Sequence, residues 1–582
     1  MKECRAEDAL DRLWAAVVSR RPWRGAPDLR LGRDAGFDME LVCAKAEEYG
    51  FPCFKRLPSE LVRIVYTHSS LATFWRYIAI VSLARKLGAA PTRSGSLPLR
   101  DVSAWSRGWE RPALLPSPPP ERLSSIRLTV DWHGVKQIER LSGMPPCRRW
   151  VSENARFIIL TEGVVDQLEN IMVQYKYGIL RLVMPDSFGG SHIWDMPDPP
   201  PLADCRFSGA VIPQATQFRA IDLRRATGLT FHFNHNKVYE IFAHTRAAPY
   251  ARRATSQQHH GVPHVTYRRA WVHLPIPKGE EILAIAVRMT HGSHHELSTQ
   301  KPCFLFRMKL TGDVALGPNY SGDYEDVNLS QASPELLIYN TLSAGPATLF
   351  GAYPRRVRGQ ENDTERNDDD NSRDNDGNSS PAVPDPFPPP ESRSILTDSQ
   401  ALFFSAPLDN VTRLQVLGDP GSGHCHAVLL DYANGSRRAL GNCRLGVDPV
   451  IGTYLEPARI CCRPVTPVTP TAAETAAARG PSIFTIARSF TGTEHLFVTG
   501  RTMMQVDSGP EPANSAHRHR DCCGGGGGDD EDFYEDAMGH HYHDSNNYGW
   551  KCSSLQGNTM KMWFSAEKSI IHITPAATSP TG

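Results

Sequence analysis

The clearest structural pattern in the chain is at residues 125–141, Ser-Ile-Arg-Leu-Thr-Val-Asp-Trp-His-Gly-Val-Lys-Gln-Ile-Glu-Arg-Leu. Apolar Ile126, Leu128 and Val130 alternate with polar neighbours, as they do when every second side chain of a strand faces a core. The short turn 132–134 separates this run from a second apolar run. The segment therefore predicts an antiparallel hairpin.

Runs of the same kind recur along most of the chain. The strongest turn signal among them is Asn434-Gly435, a pair typical of two-residue hairpin turns. Short strands separated by Gly, Pro and Asn predict a mainly β fold built from antiparallel sheets, resembling a prism or a sandwich. The other predicted strand segments are 171–184, 229–244, 265–275, 282–289, 304–314, 411–430, 438–441, 483–488, 495–498, 503–506, 560–565 and 570–574.

The N-terminal region has the period of helices instead. Five apolar residues share one face at helical spacing: Leu10, Leu13, Trp14, Val17 and Val18. A second helical unit begins at Leu57-Pro58-Ser59-Glu60, since proline suits the first helical turn. Trp105 and Trp109, four residues apart, suggest one more turn. We therefore expect residues 1–110 to form a small α-helical module, with its central unit at about 55–90.

Composition divides the remainder into two β regions, 121–354 and 395–582. Between them, residues 361–378 contain eight acidic and two basic residues, and a proline-rich stretch follows. Such a segment cannot bury enough apolar surface to offset the entropy of ordering, so 355–394 is predicted to be a disordered linker. Two further disordered inserts are expected at about 466–480 and 508–549. Whether the two β regions form one interrupted domain or two stays open.

Charge and cysteine usage limit the classes of partner and compartment. The 63 Lys and Arg residues balance 63 Asp and Glu residues, which argues against a nucleic-acid-binding surface. The N-terminus lacks a secretory signal, and the longest apolar run, 77–84, is far shorter than the ~20 residues of a membrane span. Thirteen dispersed cysteines fit reduced thiols better than a disulfide scaffold. We expect a cytoplasmic or nuclear protein with no membrane partner.

No catalytic constellation is recognisable, and the chain is not expected to be an enzyme or to bind a cofactor. Two clusters of metal-ligand residue types occur, but neither has the spacing of a zinc finger or ribbon. We therefore expect no metal site. The clusters consist of Cys522, Cys523, His540, His541 and His543, and of His291, His294, His295 and Glu296.

Residues 57–65, Leu-Pro-Ser-Glu-Leu-Val-Arg-Ile-Val, resemble the opening of an F-box, and 75–82 occupy the place of its second half. The hairpin at 134–141 and the Trp-Asp-Met-Pro-Asp-Pro-Pro segment at 194–200 extend this likeness to fungal F-box-like proteins. The resemblance implies a module that docks on the small adaptor subunit of an SCF-type ubiquitin ligase. The docking surface it implies comprises Leu57, Pro58, Leu61, Ile64 and Trp75. The alternative is that these apolar faces serve only as core.

Residues 411–441 are similar to the strand pairs of jacalin-like β-prism lectins. Tyr432, Gly435 and Gly441 match the pattern, and Ala427 stands where a glycine is usual. Two functions are therefore carried forward. The first is a substrate-recognition subunit of the ligase, whose partners are the adaptor and an unknown protein target. The alternative is a carbohydrate- or protein-binding β-prism-like module without a ligase role, whose ligand could be a glycan.

Overall fold

The structure is a computed structural model of the 582-residue chain. Contacts between residues divide it into two compact units. Unit 1 comprises Met1–Pro201, Val211–Ala220 and Asn340–Ala344, and unit 2 comprises Leu202–Ala210, Ile221–Tyr339 and Gly345–Gly582. The residues that the structure describes are 6–19, 38–69, 72–116, 125–143, 145–147, 151–152, 154–161, 170–185, 190–209, 211–249, 269–290, 301–319, 323–330, 332–342, 345–355, 385–390, 401–419, 424–464, 502–508, 541–542, 551–564 and 569–576.

The fold is mainly β, as the alternating runs predict, and its α-helices in the described residues are N-terminal. The helices are α1 (Ala6–Ser19), α2 (Met39–Glu48), α3 (Ser59–Ser69) and α4 (Thr73–Gly88), with short 3₁₀ turns at Pro52–Arg56, Leu99–Asp101 and Leu202–Asp204. Helix α2 was not predicted from the sequence. Asp38 caps it by accepting a hydrogen bond from the Leu41 amide at 3.0 Å.

The strands of unit 1 begin immediately after α4. They are β1 (Ser94–Pro98), β2 (Val102–Ser106), β3 (Ala113–Leu114), β4 (Ser125–Asp131), β5 (Gly134–Leu141), β6 (Ala155–Thr161), β7 (Met172–Lys176), β8 (Ile179–Val183), β9 (Ile193–Trp194) and the start of β11 (Gln217–Asp222). The predicted hairpin is confirmed, since β4 pairs with β5 and Ser125 faces Leu141.

Unit 1 contains two sheets that share one core. Its larger sheet has the order β3-β2-β5-β4-β6-β9-β11, antiparallel except between β9 and β11, and β1, β7 and β8 form a second sheet. The alternate residues Ile126, Leu128 and Val130 all lie in this core. Trp105 is also buried there, on β2. The prediction of a helical turn at Trp105 is therefore wrong, and the helical region ends at Gly88 rather than at 110.

The apolar face of helix α1 points away from the rest of unit 1. Trp14 is 62% exposed, and Leu10 and Val17 are exposed as well. The opposite face carries Arg12, whose guanidinium lies 4.6 Å above the Tyr177 ring and donates to the carbonyls of Leu87 and Ala90. The spacing predicted the stripe correctly, but polar contacts hold the helix in place.

Unit 2 contains the remaining strands. They are β10 (Arg206–Phe207), β12 (Ala226–Asn234), β13 (Lys237–Thr245), β14 (Arg269–Pro275), β15 (Ile282–Thr290), β16 (Cys303–Met308), β17 (Gly312–Pro318), β18 (Tyr324–Asn328), β19 (Pro334–Asn340), β20 (Phe350–Pro354), β21 (Leu402–Pro407), β22 (Val411–Asp419), β23 (His424–Tyr432), β24 (Arg437–Gly441), β25 (Val450–Leu455), β26 (Pro457–Pro464), β27 (Thr502–Ser508), β28 (His541–Tyr542), β29 (Lys551–Ser554), β30 (Asn558–Phe564) and β31 (Ser569–Pro575). Those predicted at 483–488 and 495–498 lie outside the described residues.

The two predicted β regions are not separate domains. A seven-stranded sheet has the order β18-β15-β16-β17-β21-β30-β31, so strands from both sides of the predicted linker share it. The junction is the antiparallel pair β17–β21, in which Gly317 faces Phe403. One hydrophobic cluster also draws residues from both regions, for example Phe231, Phe304 and Leu430. The boundary at 355–394 is therefore not a domain boundary.

The predicted linker is ordered in part. Residues 385–390 lie against unit 2, with Phe387 buried, so the prediction of disorder is wrong for these six residues. The rest of the stretch from 356 to 400, the insert at 466–480, and all of 508–549 except Ser508 and residues 541–542 lie outside the described residues.

Candidate functional site

Helices α2, α3 and α4 enclose a small core of their own. Its buried members are Leu41, Val42, Val62, Trp75 and Ile78. The Trp75 ring is met edge-on by Tyr66, with ring centroids 5.3 Å apart, and its Nε1 donates to Ser69 Oγ at 2.9 Å. This core gives α3 and α4 a fixed relative position without using every apolar residue on them.

The unused apolar residues lie on the other face of α3. Leu61 is 45% exposed, Ile64 53% and Val65 37%. Their spacing, i, i+3 and i+4, places all three on one side of the helix. Val62, which projects in a different direction, is fully buried. Helix α3 therefore presents an apolar surface, which we call the α3 face.

The start of α3 explains the role of the Leu-Pro pair. The carbonyl of Pro58 accepts hydrogen bonds from the amides of Leu61 and Val62, both at 3.1 Å. Proline suits this position because it has no amide hydrogen that would need a partner. Pro58 is exposed beside the α3 face, whereas Leu57 is half-buried against the helical core.

The structure thus divides the predicted docking residues. Pro58, Leu61 and Ile64 are exposed, Leu57 is partly covered, and Trp75 is only 5% exposed. The prediction that Trp75 belongs to the docking surface is wrong, because its ring is needed to join α3 to α4. Val65 also lies on the exposed surface. Its spacing in the sequence places it on one helix face with Leu61 and Ile64, but it was not among the predicted docking residues.

A polar cleft of about 690 Å³ lies in unit 1 over β4, β5 and β6. Arg127 on β4 donates to Asp198 and, at 3.1 Å, to Glu139, which faces it on β5. Asp131 accepts two bonds from Arg107, at 2.7 and 2.8 Å. The carboxylates of the cleft are therefore matched by arginines.

Two tryptophans of unit 1, Trp132 in the turn of the first hairpin and Trp194 in the 194–200 segment, have different environments. Trp132 lines the cleft, half-buried, and its ring lies over His133 with a centroid distance of 3.6 Å. Trp194 is buried and packs on Phe218 at 4.6 Å. Next to it, burial raises the pKa of Asp195 to about 6. Only Trp132 is placed to contact a ligand.

A buried Thr-His-His network in unit 2 was not singled out in the sequence. Thr230 Oγ1 lies 2.7 Å from His244 Nε2 and 3.0 Å from His273 Nδ1. Burial lowers the pKa of both imidazoles, that of His273 to about 3, so both are neutral near pH 7. The residues are recognisable only from strand register, which puts Thr230 opposite His273. Their bonds satisfy one another, which is what a structural network requires.

The histidine- and cysteine-rich clusters fall almost wholly outside the described residues, and of His541 only the backbone is described. Within the described part of the chain, no group of three or more His, Cys, Asp or Glu side chains is arranged to hold a metal ion. No described helix combines the length and the apolar character that crossing a membrane requires.

The lectin-like stretch at 411–441 uses its matching residues for strand pairing. Tyr432 Oη donates to the Pro407 carbonyl at 2.7 Å, and Gly435 adopts φ +83° in the turn between β23 and β24. Gly441 has φ +87°, and a Cβ there would lie 2.4 Å from the His426 carbonyl oxygen. Each of these residues therefore has a structural reason to be present.

Neither a scan against protein-family models nor a search of curated proteins finds a match for this chain. The α3 face and the polar cleft are therefore the two candidate binding surfaces.

Proposed function

We propose that the chain is the substrate-recognition subunit of an SCF-type ubiquitin ligase, acting in the cytoplasm or nucleus. The α3 face docks on the small adaptor subunit of the ligase, and the β region binds the protein target. The observation that carries this proposal is the exposure of Leu61, Ile64 and Val65 on a helix whose other side is already packed.

An exposed apolar cluster on a folded module favours a partner, because solvent contact of adjacent apolar side chains is unfavourable. Full burial of one such side chain contributes roughly 1.5–3 kcal/mol, so covering the exposed parts of these three contributes roughly 2–4 kcal/mol in total. The likeness of 57–65 to an F-box opening indicates which partner that is. Because Trp75 is internal, the proposed docking surface consists of Pro58, Leu61, Ile64 and Val65.

The test is a pull-down of the full chain by the purified adaptor subunit. The Leu61→Asp/Ile64→Asp double variant should lose binding, since two charges then face an apolar partner surface. The matched control is Val17→Asp, which places the same charge on an exposed apolar position of α1 and should bind like wild type. Circular dichroism checks that each variant is folded. Absence of binding by the wild-type chain would refute the proposal.

A carbohydrate-binding module remains the second candidate, and a specific observation favours it. The unit 1 cleft combines the ring of Trp132 with the polar side chains of Gln137 and Asn154, a combination suited to the apolar face and hydroxyl groups of a sugar. A glycan array probed with the full chain, with Trp132→Ala and with Trp109→Ala as an exposed-tryptophan control tests this. A glycan bound by wild type and control but not by Trp132→Ala would support it.

A further inference from the structure

The seven-stranded sheet of unit 2 has two faces, and the main core covers only one of them. On β16, Phe304 and Phe306 point into that core. Cys303, Leu305 and Arg307 alternate with them and therefore lie on the other face. Their cross-strand partners on β15 are Arg288, Ala286 and Ala284, respectively.

This second face forms a groove with an arginine at each end. The two alanines of β15 leave space opposite Leu305 and Arg307. We call the surface formed by Ala284, Ala286, Arg288, Cys303, Leu305 and Arg307 the arginine groove.

Residues 385–390, Asp-Pro-Phe-Pro-Pro-Pro, fill the groove. Phe387 is 8% exposed and packs in one cluster with Ala284, Ala286, Cys303 and Leu305. The flanking prolines Pro386 and Pro388 are exposed. The segment thus inserts one aromatic ring between the strands while its prolines stay at the surface.

The two arginines hold the segment through its carbonyl groups. Arg307 donates to the carbonyls of Asp385 at 2.8 Å and Pro386 at 3.2 Å, and its guanidinium lies 4.7 Å from the centre of the Phe387 ring. Arg288 donates to the Pro388 carbonyl at 2.8 Å. Each contact uses an acceptor that proline keeps, and none needs an amide hydrogen, which proline lacks.

The groove is organised without help from the segment. Arg288 forms a two-bond pair with Asp326 on β18, with both distances 2.7 Å. Arg307 forms the same kind of pair with Asp313 on β17, at 2.9 and 3.0 Å. Each aspartate faces its arginine directly across the strands. Because bidentate pairs fix the plane of a guanidinium, the donors are oriented before any ligand arrives.

These features suit an extended, proline-rich peptide, whose carbonyl groups accept hydrogen bonds from the two arginines. Proline-rich segments are already extended, so they lose little entropy on binding, and they are recognised through carbonyl oxygens and ring contacts. We propose that the arginine groove is a recognition site for a proline-rich segment of a partner protein carrying an aromatic residue between prolines, and that Asp385–Pro390 occupies it in cis. The arginine groove shares no residue with the α3 face, so this proposal does not depend on the ligase proposal.

The test uses the full chain in which residues 385–390 are replaced by six Gly and Ser residues. The probe is a fluorescein-labelled peptide of residues 383–391, Val-Pro-Asp-Pro-Phe-Pro-Pro-Pro-Glu, and binding is followed by fluorescence anisotropy. This chain, which we call the emptied variant because residues 385–390 no longer fill its groove, should bind the peptide. Wild type should bind it at least about tenfold more weakly, because an intramolecular ligand competes at an effective concentration on the order of mM.

Two controls test whether the binding is at the groove. In the emptied variant, Arg307→Gln should weaken binding at least about tenfold, whereas Arg444→Gln should not. Arg444 also pairs with an aspartate of unit 2, Asp448, but not at the groove. A peptide with alanine in place of phenylalanine should not bind. The proposal would be overturned if the folded emptied variant did not bind the 383–391 peptide, or if it bound this peptide and the alanine-containing peptide equally well.

A second readout does not depend on the six-residue replacement folding. Phe387→Ala in the otherwise unchanged chain uncovers Cys303, which is buried in the same cluster. A small maleimide should then label Cys303 at least about tenfold faster than in wild type, since exposure governs thiol reactivity. An unchanged rate would contradict the placement of the Phe387 ring in the groove.

Discussion

The clearest distinction that the structure makes among the F-box-like residues concerns Trp75, and a pair of substitutions tests it. Trp75→Ala removes a buried ring that contacts Tyr66, Phe54 and Phe74 and donates to Ser69. Replacing a buried tryptophan by alanine costs about 3–5 kcal/mol. Trp75→Phe keeps an aromatic ring but loses the Nε1 hydrogen bond, which costs about 1 kcal/mol.

The assay is urea denaturation followed by circular dichroism at the helical band near 222 nm. The free energy of unfolding falls by about 2 kcal/mol per M of urea. The urea concentration at which the helical signal is half lost should therefore fall by about 2 M for Trp75→Ala, which loses about 4 kcal/mol, and by about 0.5 M for Trp75→Phe, which loses about 1 kcal/mol. Trp75→Phe should also bind the adaptor subunit like wild type. A Trp75→Ala midpoint equal to that of wild type would refute the assignment of Trp75 to the core.

Three further predictions concern other parts of the chain. Arg12→Ala should destabilise unit 1 by about 2 kcal/mol in a denaturant titration, because its charged hydrogen bonds are lost, whereas exposed Trp14→Ala should change stability by less than about 0.5 kcal/mol. Burial raises the pKa of Asp195 to about 6, so the folded state holds this proton more tightly than the unfolded state. The protonated carboxyl therefore contributes stability that is present below about pH 4 and is lost as the pH rises through 6. Asp195→Asn cannot titrate, so in urea titrations its free energy of unfolding relative to that of wild type should be about 3 kcal/mol higher at pH 7 than at pH 4. In wild type, iodoacetamide followed by mass spectrometry should modify exposed Cys53 well before Cys303, whose pKa burial raises to about 12.

The sequence predicted the β architecture because alternation is a local property. At 125–141 the apolar period and the turn residues both specify a hairpin, and the observed register follows. A turn also forms at Asn434-Gly435, but the prediction of a two-residue turn is wrong. Residues 433–435 form a three-residue loop in which the Gly435 amide donates to the Tyr432 carbonyl at 2.9 Å, and of the pair only Gly435 has a positive φ. Where strand and turn chemistry agree, little depends on the rest of the chain.

Burial depends on tertiary packing, which no local pattern contains. The apolar stripe of α1 was recognisable, but nothing in its spacing showed that Arg12 rather than Trp14 would face unit 1. Likewise, Leu61, Val62 and Ile64 are equally apolar in the sequence, and only the packing of α2 and α4 decides which of them is covered. Trp105 was assigned to a helix because Trp109 follows it at helical spacing. In the structure Trp105 lies on β2 and pairs with β5 instead.

Composition was misleading where a few residues outweigh their surroundings. Residues 385–390 belong to an acidic and proline-rich stretch, and composition alone predicted disorder there. A single phenylalanine and two arginines on distant strands place these six residues on unit 2. The average composition of the stretch 355–394 does not reveal such a local contact.

We propose a direct contact between the α3 face and the ligase adaptor, and site-specific photo-crosslinking detects such a contact. A photoreactive phenylalanine analogue is placed at the position of Ile64 and, in a control, at that of Val17. Each full chain is then mixed with the purified adaptor subunit and irradiated. If the α3 face docks on the adaptor, position 64 should crosslink to the adaptor and position 17 should not. No crosslink from position 64, or equal crosslinking from both positions, would contradict it.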